Sequence, residues 1–318
     1  MRKLALLGIT AVVAFGVGCN GPFAFLNKNS DTGPVQAVPP VDKLVAYLNE
    51  NSSRIQSVHY TDVALTASQG ASIKLHADMM VQKPRNFRLM ADLGGAPMVD
   101  LGSNDQEFWW WVTDRKSQKK IPGVGEQMYC SYEDLKAGRA RDWKIPLDPE
   151  WVMEVLGMGT YSADKLKPEV HAETVDLVEK TRMNGRDVRK VIVFQRRPRQ
   201  LPYPIVSDFK LLDDRTGDVI CSAHISEIYL DKKTNAYLPR KVEINCPEMK
   251  AELALKMDYV AVNPGSLNPR NKDQVVNPGQ PVPMSAFVRE RQGGAPSRNL
   301  AWPVPVDDLQ RVQAQIGK

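Results

Sequence analysis

Chemistry in this chain would have to come from its histidines, cysteines, carboxylates or glycine loops, and their spacing argues against most of it. The four histidines, His59, His76, His171 and His224, are dispersed, without the close pair on one helix that a zinc hydrolase requires. No G-x-S-x-G, phosphate-loop or C-x-x-C-H sequence occurs. Asp213-Asp214 reads as turn chemistry. The expectation is a protein that is not an enzyme and uses neither metal nor other cofactor. The remaining chemistry lies in the four cysteines. Cys221 lies in the strand-like run Asp218 to Leu230 and Cys246 ends the run Tyr237 to Cys246, the two joined by the turn Asp231-Lys-Lys-Thr-Asn235. A hairpin folded about positions 233 and 234 sets them opposite each other, at a separation a disulfide tolerates. They form either a disulfide or two small thiols packed in a core. Cys130 is left without a mate. A second cluster is aromatic: Trp109, Trp110 and Trp111 are consecutive, half of the six tryptophans in the chain. With Phe108 they place large side chains on both faces of one strand, so both faces need cover. Either one set lines an apolar cavity and the other meets a lid, partner or membrane, or the protein's own helix and middle segment bury both.

Cys19 belongs to a different context. Arg2 and Lys3 precede an uncharged apolar run, Leu4 to Val17, too short to span a bilayer comfortably and built like a secretory signal. Its end, Gly16-Val17-Gly18-Cys19, resembles a bacterial lipobox, in which the cysteine is acylated and becomes the first residue. Gly16 departs from the aliphatic residue usual in that motif, and an ordinary signal peptide or an uncleaved anchor are the other readings. Cys19 is thus the expected lipidation site, with palmitate as a fitting label. The expected location is the cell envelope, facing the periplasm, with the outer membrane favoured over the inner because Asn20 is not the retaining aspartate. The formal net charge of +5 falls once Arg2 and Lys3 are removed, so nucleic acid is not a suggested partner.

Around these residues the chain divides into four parts. Residues 1–18 are the signal peptide and 19–40 an Asn-, Gly- and Pro-rich tether. Residues 41–262 form the folded domain, and 263–318 are a tail containing eight of the 23 prolines, expected to be extended apart from a terminal helix at Val306 to Ile316. The domain opens with Val41, Leu44, Val45 and Leu48 at helical spacing through Val41 to Ile55. The period then becomes two. Five strands are expected between Ser57 and Thr113, and six more between Glu169 and Val262, with an irregular segment from about Lys116 to Lys167 over the sheet. That makes about eleven strands, mainly β with α, in antiparallel order.

Three motifs carry a family resemblance over residues 41 to 262. Lys83-Pro84-Arg85-Asn86-Phe87-Arg88 is similar to the "KP-x-x-F-R" strand opening of the LolA/LolB-type lipoprotein carrier superfamily. Asp105 to Trp111 is similar to its "dG-x-x-x-W" strand, and Leu230 to Val242 to its "D-x-x-T-g-l-P-x-x-v" hairpin. The resemblance implies an incomplete antiparallel β-barrel wrapped around the N-terminal helix and a lid segment. It also implies an apolar face that binds a lipid, a lipidated protein or another apolar ligand without catalysis. On that reading Phe87, Leu89, Phe108, Trp109, Trp110 and Trp111 line the ligand cavity or its lid. The alternative within the same fold is an envelope sensor whose ligand is a polypeptide. The classical soluble carrier is not itself lipidated, which favours a membrane-tethered role.

Overall fold

In the computed structural model, residues 37–68, 72–112, 127–137, 139, 148–183, 185–196, 205–264, 289 and 297–299 are described. The signal peptide, Cys19, most of the tether, Trp143, the loop at 197–199 and the expected helix at 306–316 lie outside them.

A run of apolar residues at helical spacing, with Asp42 in the first turn, forms α1 (Val41–Ser53). The strands follow with period two: β1 (Ser57–Ser68), β2 (Ser72–Gln82), β3 (Asn86–Leu93), β4 (Ala96–Ser103), β5 (Glu107–Val112) and β6 (Gln127–Ser131). Two short helices interrupt them, α2 (Tyr132–Lys136) and α3 (Pro149–Val155). Each is opened by a side chain that accepts from the first-turn amides, Ser131 for α2 and Asp148 for α3. The second series is β7 (Lys167–Val170), β8 (Thr174–Met183), β9 (Arg186–Gln195), β10 (Ile205–Asp213), β11 (Val219–Asp231), β12 (Ala236–Cys246) and β13 (Ala251–Val262). A final strand, β14 (Ser297–Asn299), comes from the tail.

All fourteen strands share one open sheet in the order β14-β6-β5-β4-β3-β2-β1-β13-β12-β11-β10-β9-β8-β7. Every pairing is antiparallel except that of β14 with β6. The expected incomplete barrel around the N-terminal helix is therefore the fold observed. The strand count exceeds the eleven expected for identifiable reasons. The run begun at Glu169 is two strands, β7 and β8, folded back at His171. The irregular middle segment supplies β6, and three residues of the proline-rich tail supply β14.

The inner face of the sheet and the helices share one core. Leu44, Val45 and Leu48 of α1, and Trp151, Met153 and Val155 of α3, pack with inward residues of strands from both series. Several polar contacts lock α1 in place. Lys83, from the Lys-Pro motif, donates from Nζ to the Ser52 carbonyl at 2.6 Å and to Ser52 Oγ at 2.7 Å. A cation there satisfies an orphan carbonyl and opposes the negative end of the helix dipole. Burial pulls the Lys83 ammonium below its ordinary pKa, the cost of holding it inside.

Candidate functional site

The inner face is not filled everywhere. Between α1, the segment after α3 and β10–β12 lies a cleft with a cavity volume of about 70 Å³, below the ~300–1,000 Å³ of small-ligand sites, so a guest must widen it. Its walls are Tyr47 and Leu48 from α1, Phe209 from β10, Ile225 and Ile228 from β11, and Leu238 from β12. Ile228 and, nearby, Leu230 are exposed apolar side chains on β11. Such a surface offers burial and no reaction chemistry, which is what an acyl chain needs.

Two asparagines of α1 fix the geometry of this cleft. Asn49 Nδ2 donates to the Tyr161 carbonyl at 2.8 Å, and its Oδ1 accepts from the Tyr161 amide at 2.8 Å. Asn51 does the same to Tyr237, at 2.9 and 2.7 Å. Each amide thus pairs with a backbone unit as a neighbouring strand would, and Tyr161, Asn51 and Tyr237 are all wall residues.

Behind the cleft, sharing Glu154, Tyr161 and Phe209 with it, is a narrow space of about 10 Å³, room for about one water. Its polar element is an ion pair, Lys190 Nζ to Glu154 Oε1 at 2.6 Å. Burial raises the Glu154 carboxyl above its usual range despite the lysine. Burial also lowers Lys190, but Glu154, Asp148 and Glu179 together more than reverse it and hold the ammonium charged. The Tyr161 hydroxyl is buried here with no hydrogen-bond partner among the described residues. The arrangement is a mostly apolar cleft with a polar back wall in which Lys190 is neutralised by Glu154.

The six aromatic and aliphatic residues singled out in sequence lie elsewhere. Phe87 and Leu89 belong to the main core. Phe108 joins Cys130, Tyr132 and Leu135 in a small satellite core under α2, its ring 5.6 Å edge-on from that of Tyr132. Trp110 shares the inward side of β5 with Phe108, opposite Leu101 and Met128. None of the six lines either space. Trp109 and Trp111 face outward, yet are only 2% and 8% exposed. Trp109 lies flat across β4, where Gly102 admits it: a Cβ at Gly102 would be 2.0 Å from the indole. Its Nε1 donates to Asp100 at 3.1 Å, and Asp100 accepts a two-pronged contact from Arg88 at 3.2 and 3.1 Å. The last residue of the "KP-x-x-F-R" motif is thus the cation of a buried outer-face network.

Cys221 and Cys246 extend the Ser222–Asn245 register of the β11–β12 hairpin, with Sγ atoms 2.6 Å apart and both side chains buried. Among the described residues no group of three or more His, Cys, Asp or Glu could hold a metal ion, and no helix is long and apolar enough to cross a membrane.

No family model matches the chain, and no curated protein matches it. Solved structures do. An outer membrane lipoprotein-sorting protein domain from Vibrio parahaemolyticus is 9% identical, with a TM-score of 0.44 over 73% of this chain and 96% of its own. A LolA superfamily protein from Nitrosomonas europaea is 9% identical, with a TM-score of 0.40 over 77% and 97%. A DUF1329 family protein from Desulfovibrio piger is 9% identical, with a TM-score of 0.38 over 74% and 97%.

Proposed function

We propose that this protein is a membrane-anchored extracytoplasmic lipoprotein that binds an acyl chain or another apolar ligand in the cleft between α1 and β10–β12, without catalysis. The observation that carries the reading is the cleft, whose walls are mostly apolar, with Asn51 and Glu154 among its few polar members. An acyl chain gains about 0.8 kcal/mol for each CH₂ buried, so Tyr47, Phe209, Ile225 and Leu238 need only exclude water. The Lys190–Glu154 ion pair and the buried Tyr161 hydroxyl at the back suit a neutral polar group such as an ester at the chain's end. Cys19 carries the anchor, which holds the cleft near the periplasmic surface of a membrane, the outer one by preference.

Titration with a fluorescent fatty acid tests the cleft. Wild-type protein is expected to bind saturably and Ile225→Trp, which fills the space, to bind about tenfold more weakly with its thermal unfolding unchanged. Equal binding by both proteins, or none by wild type, overturns the reading. In the second case an envelope sensor with a polypeptide ligand becomes the better account. Labelled palmitate should enter the wild-type chain and not Cys19→Ala.

The same reading assigns Cys221 and Cys246 a disulfide. The two thiols lose two protons and two electrons to the disulfide of an oxidising dithiol protein of the envelope, by thiol–disulfide exchange. Intact mass under non-reducing conditions should be two hydrogens lighter than after reduction. Unchanged mass on reduction of protein isolated from the envelope contradicts it.

A further inference from the structure

The two edges of the sheet are protected in different ways. β7 reads Lys-Pro-Glu-Val and is exposed throughout, so charge and a missing donor discourage foreign pairing. β6 reads Gln-Met-Tyr-Cys-Ser, with neither charge nor proline. An edge of that composition invites strand addition unless something covers it. In the structure the cover is the chain's own tail.

Two contacts attach it. Ser297, Arg298 and Asn299 run parallel to β6, opposite Gln127, Met128 and Tyr129. Arg289 reaches the outer face beside the same strand: its Nε is 3.0 Å from Glu107 Oε1, and its guanidinium lies 3.7 Å over the Tyr129 ring. Tyr129 therefore meets the tail twice, by its backbone register and by its ring. Topology makes this costly to arrange by accident. β13, the last strand before the tail, is seven steps from β14 in the sheet order, or roughly 34 Å at ~4.8 Å per step. The chain leaves the middle of the sheet and returns at its far edge. There it meets the outer face that holds Trp109 and Trp111.

We propose that Arg289 and the strand Ser297–Asn299 are a built-in, displaceable ligand of the β6 edge, with Glu107 and Tyr129 as the receptor for the arginine. The resident occupant is the tail in cis. An extended segment of another protein that carries an arginine in the same register is the competitor the edge would accept. The site lies on the outer face, apart from the cleft, so its test is independent of ligand binding there.

Charge exchange in the full-length protein tests the clip. R289E and E107R each remove the ion pair, and R289E also removes the cation–π contact, so hydrogen exchange of the β6 amides that face β14 should rise about tenfold. The double variant R289E/E107R restores opposite charges and should slow exchange again. A synthetic peptide of residues 285–300 should bind saturably to protein whose tail has been cut at a protease site engineered between 265 and 288. Wild-type exchange rates in both single variants, or failure of the peptide to bind the cut protein, overturns the proposal. Should E107R fail to fold, R289E and the peptide measurement decide it.

Discussion

The two halves of the sheet bury apolar surface in different ways. From β3 to β6 much of both faces is buried, including Arg88, Asp100, Trp109 and Gln127 on the outer one. Inward residues join the cores around α1 and α2, while outward residues form a row in which Met80, Arg88, Gly102, Trp109 and Tyr129 stand side by side on successive strands. From β10 to β12 the inner face leaves a cleft with exposed Ile228 at its rim, while Leu212 on the opposite face joins a small cluster with Val178, Val191 and Val193. The aromatic wealth of the first half marks surface already committed to the protein itself. The aliphatic second half keeps room for a guest. Density of aromatics is therefore a poor guide to a binding site when a strand is buried on both faces, because aromatics serve cover as readily as recognition.

The contrast can be broken from the covered half first. Asp100→Ala strands Arg88 in the outer-face network without its counter-ion and removes the acceptor of the Trp109 indole. Loss of one partner of a buried pair costs about 3–5 kcal/mol, so the urea midpoint should fall sharply while fatty-acid affinity per folded molecule is kept. A variant that unfolds normally would show that the network contributes nothing to this half. Next in size is Gly102→Ala, whose Cβ collides with the Trp109 indole. Overpacking of this kind costs about 1–3 kcal/mol, and it should move tryptophan emission together with the unfolding midpoint. On the cleft side, Asn51→Ala leaves the Tyr237 amide and carbonyl unpaired at the wall. The stability loss should be about 1–2 kcal/mol, but here fatty-acid affinity should fall as well, the opposite of the Asp100 result.

The smallest effect is a pH dependence. The turn amide of Thr216, with the Arg186 guanidinium, holds the Asp213 carboxyl down at about 2. A carboxyl depressed in the folded state contributes stability that is present above its unfolded value near ~3.9 and is lost as pH falls toward 2. Asp213→Asn should therefore lower stability at neutral pH and flatten the acid limb of the stability curve between about pH 4 and 2. An identical acid limb in both proteins would contradict this assignment.

Periodicity made much of the fold legible. The helix expected at Val41 to Ile55 is observed as Val41–Ser53, and the strand expected from Pro97 to Gly102 is β4, Ala96–Ser103. The pairing of Cys221 with Cys246 followed from the turn between them, because a hairpin's register is set locally. The cleft was not legible. Its walls depend on Asn49 and Asn51 reaching backbone groups 112 and 186 residues away, and a side-chain amide that imitates a strand partner leaves no periodic trace. The tail's return was hidden for the same reason: three paired residues and one arginine are too few to rise above a proline-rich background.

The central claim is that the cleft holds an apolar guest. Its most direct measurement is native mass spectrometry of the domain, isolated from the envelope in its unlipidated form, followed by extraction and identification of whatever dissociates. The account predicts one acyl-bearing molecule per chain in wild type and its loss in Ile225→Trp. A wild-type spectrum of bare protein, or a bound lipid that Ile225→Trp retains in full, would contradict it.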